Sequence, residues 1–203
     1  MNELPDKKYG IIYADPPWSY QNRGTRAAAA KHYDTMTIED IKKMPVNVAG
    51  GGGIASEDCT LFMWATFPML KEALEVIEAW GFTYKTVAFC WVKQNRGGAG
   101  LFMGLGNWTR SNAEICLLAT KGRPERIGKA VRSTVLSPIE RHSKKPDEVR
   151  DRIVELMGDL PRIELFARET TPGWDAWGNE VEETSQKGAE HGQHHETDPA
   201  REL

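Results

Sequence analysis

No stretch of this 203-residue chain strings together the roughly 18 apolar residues that a membrane-spanning helix needs, which excludes that class. Cysteine is scarce: Cys59, Cys90 and Cys116 stand far apart, each inside an apolar segment, and no CxxC pair exists. A disulfide framework is thereby excluded, and buried free thiols in a reducing compartment are expected. The histidine cluster HGQHH lies in a polar tail, so no metal site is expected. The opening residues MNELPDKKYG lack an apolar signal region, which points to a cytoplasmic protein. Basic charge is not in excess either, with 26 Lys and Arg against 29 Asp and Glu.

What is present is the composition of one globular enzyme-sized unit, 40% hydrophobic with seven Trp. Charge is unevenly spread. Residues 180–203 hold seven acidic and two basic side chains, which leaves residues 1–179 mildly basic at +2. The division expected is a folded domain over 1–181 and a disordered acidic tail over 182–203, since the tail has almost nothing apolar to bury. Residues 121–152 carry ten basic and five acidic side chains, a stretch that either faces phosphates or is an ordinary solvated surface.

Along the chain, YGIIYA is a short apolar run stopped by Pro16 and Pro17, as a buried strand would be. TIEDIKKM reads as a short helix with Thr37 as N-cap, and AGGGGIASED as a flexible connection. CTLFMWA and YKTVAFCWV read as strands flanking a helix with Leu70, Leu74, Ile77 and Trp80 on one face, a βαβ unit. A glycine-rich loop leads to the strand EICLLAT, and AVRST is a short strand candidate in an otherwise loop-like stretch. Pro146 opens a helix with Val149, Ile153, Leu156 and Met157 in one stripe, followed by the strand RIELFA. Trp174 and Trp177 read as core anchors of a packed C-terminal segment.

Asp15-Pro16-Pro17-Trp18 directly follows the first strand, at the carboxyl edge where α/β sheets place their ligands. Each Pro fixes its own φ and restricts its predecessor, so the tetrapeptide presents a carboxylate, free carbonyls and an indole rigidly. That set suits a planar base with an exocyclic amino group. Hydrogen bonds from the two N–H groups to Asp15 and the Pro16 carbonyl would localise the nitrogen lone pair, and Trp18 would stack on the ring. A fixed carboxylate stabilises the positive charge that develops on nitrogen during alkylation, an effect of roughly 3 kcal/mol for a well-placed group. The competing reading is a bare Pro-Pro turn beside a buried Trp.

With its companions KHYDTMTIEDIKKMPV, LFMWAT, GLGNWTRSNAEICLLATKG, KKPDEVRDRIVELM, RIELFAR and PGWDAWGNE, the chain resembles the N6-adenine methyltransferases of the MT-A type. These are relatives of the catalytic subunit of the messenger-RNA adenosine methyltransferase. The resemblance covers residues 8 to about 181 and implies a Rossmann-like α/β methyltransferase fold with a mixed, mostly parallel sheet and permuted motif order. It implies S-adenosylmethionine as methyl donor and Asp15, Pro16, Pro17 and Trp18 as the catalytic tetrapeptide. It also places Lys145, Glu164, Phe166, Arg168, Asn179 and Glu180 around the donor, and Arg110, Ser111 and Asn112 on the substrate side. The chain departs from the eukaryotic pattern at Glu169-Thr170-Thr171, where Pro-His-Asn would follow the Arg, and at Glu180 in place of Gln.

The expected activity is methylation of adenine N6 in nucleic acid, with DNA favoured over RNA because neither a zinc finger nor an arginine-rich extension is present. A homo- or heterodimer is compatible with this reading. The rival is a catalytically silent homologue that binds nucleic acid or stabilises a partner. The GxGxxxG spacing of GAGLFMG does not follow a dinucleotide-type turn, and His142 is a lone loop histidine, so neither is assigned chemistry.

Overall fold

The apolar hexapeptide YGIIYA forms strand β1 (Tyr9–Ala14), buried at every position. A strand of that kind must be covered on both faces, and the rest of the chain supplies the cover. In the computed structural model, which describes residues 3–18, 36–106, 108–141, 144–179 and 181, β1 is followed by helix α1 (Ile38–Lys42) and strand β2 (Ala55–Ala65). Helix α2 (Leu70–Ala79), strands β3 (Thr83–Gln94), β4 (Ala113–Lys121) and β5 (Thr134–Pro138) come next. Helix α3 (Glu148–Met157), β6 (Arg162–Leu165) and β7 (Asp175–Trp177) complete the order. His142, Glu180 and the acidic tail lie outside the described residues, as do residues 19–35.

The strands form one sheet in the order β5-β3-β4-β2-β1-β6-β7. Four pairings are parallel, and β4 runs antiparallel to both neighbours, β2 and β3. The expected Rossmann-like mixed sheet is therefore present. On one face Ile12, Leu61, Met63 and Leu117 pack against Ile41 of α1 and Ala73, Val76 and Ile77 of α2. On the other, Ile11, Tyr13, Phe62, Trp64 and Phe89 pack against Val149, Ile153 and Met157 of α3. Each such fully buried side chain stabilises the fold by about 1.5–3 kcal/mol.

Three readings of the sequence need correction. The strand-helix-strand unit does not pair its own strands: β2 and β3 share a direction, but β4 is inserted between them. The short strand expected at AVRST lies four residues later, at Thr134–Pro138, where Val135 is fully buried and the Ser137 carbonyl accepts the Trp91 indole N–H at 2.9 Å. The tetraglycine connection is a tied-down turn, with Lys8 donating to the carbonyls of Gly51 and Gly53 and Val48 bridging to Gly52. The N-cap bond at Thr37, the buried Trp174 and Trp177, and the unpaired cysteines agree with expectation. Burial pushes the Cys59 thiol up to about 12, so this cysteine is an inert core residue.

The insertion of β4 decides where the chemistry sits. Because β4 is antiparallel, its first residues lie at the same edge as the carboxyl ends of β1, β2 and β3. Chain direction across the sheet also reverses at β1, with β2 on one side and β6 on the other, and the crevice at such a switch point is where open α/β sheets bind ligands.

Candidate active site

Asp15 emerges from β1 at this switch point, its backbone N–H directed at the Leu165 carbonyl of β6. Lys145, in the loop before α3, donates to Asp15 Oδ2 at 2.6 Å and also lies 3.4 Å from Glu114 Oε2 at the start of β4. Lys93, at the end of β3, donates to the other oxygen of Glu114. Four charges thus alternate in sign across three strand ends and a loop. The cluster is neutral as a whole, which is what permits its burial.

The electrostatics follow from that packing. Burial pushes the Asp15 carboxyl above the ordinary carboxylate range, with Lys145 pulling it back and the nearby Glu114 charge adding to the rise. Burial also works against the Glu114 carboxylate, but Lys145 and Lys93 together hold it below its ordinary value. Against its own desolvation, Lys145 is held protonated by Asp15 and Glu114. Its ammonium also lies 5.6 Å from the centre of the Trp64 ring.

Trp18 is 8% exposed, and its indole N–H donates to the Trp64 carbonyl at 3.0 Å. It is packed as a wall of the site, joined to the core beneath it, so the aromatic face expected for base stacking is largely covered. The Pro16 carbonyl accepts the Trp18 backbone N–H at 2.8 Å and keeps one lone pair for another donor. Below this layer the Trp64 indole donates to the Tyr13 hydroxyl, and the Arg150 guanidinium lies over the Tyr13 ring at 5.9 Å.

Across the crevice, Glu164 is engaged at both carboxylate oxygens by Arg150, at 2.7 and 3.0 Å. Glu164 therefore braces α3 against β6, and little of it is left to face a ligand. Phe166 turns the chain at the end of β6 with φ 63, a left-handed conformation that costs an ordinary residue about 1–3 kcal/mol and concentrates at functional sites. Its ring meets Trp177 edge-on at 5.6 Å. The Ala167 N–H bonds the Trp177 carbonyl, and a side chain at Gly178 would collide with the Ala167 carbonyl oxygen. This close approach sets the exposed Asn179 beside the turn. Arg168 is near enough for its charge to favour ionised Asp15. Glu169, in the segment that departs from the eukaryotic pattern, accepts from Arg141 at 2.6 Å and ties two loops of this edge together.

The structure thus brings Asp15, Lys145, Glu164, Phe166, Arg168 and Asn179 to one sheet edge. Arg110, Ser111 and Asn112 precede β4 at that edge, and the Asn112 carbonyl accepts the Lys93 backbone N–H. Sequence reasoning passed over Lys93, Glu114 and Arg150. The available signal was a charged residue breaking an apolar run, Lys93 closing YKTVAFCWV, Glu114 opening EICLLAT and Arg150 beside the stripe of Val149 and Ile153. Of the basic stretch, Arg141, Lys144, Lys145, Arg150 and Arg152 are paired with carboxylates. Lys121 and Arg123 lie at the opposite sheet edge, beside the start of β2.

The chain is 35% identical over 199 residues to the Type II methyltransferase M.MunI of Mycoplasma sp, spanning 88% of this chain and 80% of that protein. It is 30% identical over 178 residues to a putative N(6)-adenosine-methyltransferase MT-A70-like protein of Medicago truncatula, spanning only 26% of the plant protein. The N6-methyladenosine RNA methyltransferase MTA1 of Pyricularia oryzae is 25% identical, with 47% of its length covered. The MT-A70 family profile matches residues 9–180, nearly the whole described fold, and the chain belongs to the MT-A70 family.

Proposed function

We propose that this chain transfers a methyl group from S-adenosylmethionine to the exocyclic N6 amino group of adenine in nucleic acid, with DNA as the preferred substrate. The observation that carries this reading is the state of Asp15. It is half-buried at the switch point, Lys145 occupies only its Oδ2, and among the described residues Oδ1 accepts no hydrogen bond. An amino N–H can be received there, beside the remaining lone pair of the Pro16 carbonyl.

The neighbouring residues fit the donor by their chemistry. Phe166, backed by the buried Trp177, offers apolar surface to a ring, the Asn179 amide suits ribose hydroxyls, and the Arg168 guanidinium suits a carboxylate. When bound, the donor supplies an electrophilic methyl group on a sulfonium. The protein's own part is orientation and charge. Asp15 Oδ1 and the Pro16 carbonyl would fix both amino hydrogens, and the carboxylate stabilises the positive charge that develops on nitrogen. Lys145 aims the carboxylate, Glu114 helps Asp15 keep Lys145 charged, and Lys93 holds Glu114 in place.

The two proteins named as RNA methyltransferases are less similar, and are matched over a smaller share of their length, than the Type II methyltransferase. An adenine in duplex DNA would have to leave the stack to reach Asp15. The test is mass spectrometry of nucleosides from DNA and RNA of one sequence, single- and double-stranded, incubated with protein and donor at matched salt. N6-methylated deoxyadenosine is the expected product, and a clear preference for RNA would overturn the substrate assignment. Donor binding by calorimetry excludes the catalytically silent alternative, which need not bind it.

A pH profile tests the charge cluster. Activity should rise with pH as Asp15 loses its proton, with the acid limb above the ordinary aspartate range because burial raises this group. Glu114→Gln removes a negative charge that favours protonated Asp15. The acid limb should therefore move to lower pH in the variant, and a shift to higher pH would contradict the assignment.

A further inference from the structure

Between Lys93 and Glu114 the chain leaves the sheet as an arm. Its outgoing strand runs back against its return: Asn95 N–H bonds the Gly100 carbonyl, Phe102 N–H bonds the Lys93 carbonyl, and Gly104 N–H bonds the Ser111 carbonyl. The inner side admits nothing larger than hydrogen at two points. A side chain at Gly104 would collide with the Ser111 carbonyl oxygen, and one at Gly106 with that of Thr109. The alternating outward positions are Leu101, Met103 and Leu105, exposed by 56%, 73% and 90%, and Trp108 near the tip is 99% exposed. A soluble surface rarely displays four large apolar side chains together without a partner.

The partner's chemistry can be read from charge and position. From Lys93 to Ala113 the chain carries Lys93, Arg96 and Arg110 and no acidic residue. Among the described residues neither Arg96 nor Arg110 meets a carboxylate, and both are exposed. Both ends of the arm are members of the active-site charge cluster, Lys93 and Glu114. An apolar tip with cationic flanks, rooted at the site that must receive an extruded base, matches a disturbed nucleic-acid stack: phosphates attract the arginines, and the space between bases accepts apolar side chains.

We infer that residues 95–106 and 108–112 form a wedge that enters duplex DNA beside the target adenine, with Leu105 and Trp108 filling the opened stack and Arg96 and Arg110 on the flanking phosphates. The inference rests on the adenine methyltransferase reading. The experiment separates the two. Native and heat-denatured genomic DNA are each incubated with wild-type protein, Leu105→Ser or Trp108→Ala, and N6-methyladenine is counted by mass spectrometry. The wedge is needed only where a stack must be opened, so each variant should lose about tenfold or more on native DNA and less than about threefold on denatured DNA. Equal losses on both, or none on native DNA, would overturn the wedge while leaving the methyltransferase reading intact. Absence of methylation by the wild type on every adenine substrate would instead defeat the enzymatic reading. Sedimentation equilibrium gives a third arm: a wild-type dimer that Trp108→Ala converts to a monomer would assign the tip to a second copy of the chain and overturn the wedge. Melting temperatures of the variants should match the wild type, because the replaced side chains are solvent-exposed.

Discussion

Replacing Asp15 by Ala is expected to cut methyl transfer by about 10²–10³-fold or more while donor affinity, measured by calorimetry, stays within a few fold. The residue ends β1 with one carboxylate oxygen committed to Lys145, and the other is placed to receive an amino hydrogen. Methyl transfer places positive charge on the accepting nitrogen, so the lost charge is felt in the transition state more than in the bound ground state. The fold should survive, because Lys145 retains Glu114 as a counter-charge. Loss of donor binding in a variant that still melts cooperatively would instead place Asp15 on the donor. Asp15→Asn separates charge from shape: it keeps an acceptor oxygen but removes the carboxylate charge, and it should fall nearly as far as Ala.

The largest effect on stability is expected at Arg150. Its side chain and that of Glu164 are only 8% and 10% exposed, and the two form a two-bond fork between α3 and β6. Arg150→Met leaves a buried carboxylate without its partner, which costs about 3–5 kcal/mol. For a chain of this size thermal unfolding should then fall by roughly 10 °C. Arg150→Lys should recover little, since an ammonium cannot reproduce the planar fork. Adding Glu164→Leu to Arg150→Met should restore much of the loss, because the stranded charge is then gone. Donor affinity in that double variant decides the part Glu164 plays: near-normal affinity makes it a brace, and a large loss makes it a donor contact.

The parts of the site legible from sequence were those written in contiguous residues. Asp15 to Trp18 are local, fixed by two prolines and delivered by an unbroken apolar strand, so backbone restriction and chemistry could be read together. Helix α3 was legible from its apolar stripe, whereas α2 buries Ala73, Val76 and Ile77 and leaves Leu70 of the expected face exposed. Lys93 and Glu114 were not legible, since their meeting depends on β4 lying antiparallel between β2 and β3, a pairing that periodicity does not encode. The strand at β5 was misplaced because only Val135 of its five residues is buried at this edge of the sheet, and its register is set by the parallel ladder with β3, a pairing remote in sequence. Trp18 shows a limit of a different kind. Its type and position fit a stacking platform, but the depth of its indole is set by the Trp64 carbonyl, a partner remote in sequence.

The antiparallel β4 also separates what can vary from what cannot. The β3–β4 ladder pins Trp91 opposite Glu114 and Val92 opposite Ala113, so both stems of the arm are held by the sheet whatever lies between them. The arm is in this sense an exchangeable cassette. Its length and tip can be redrawn to suit another target sequence without moving Lys93 or Glu114. A slip of one residue within the ladder, by contrast, would turn Glu114 to the opposite face of the sheet and dismantle the charge cluster.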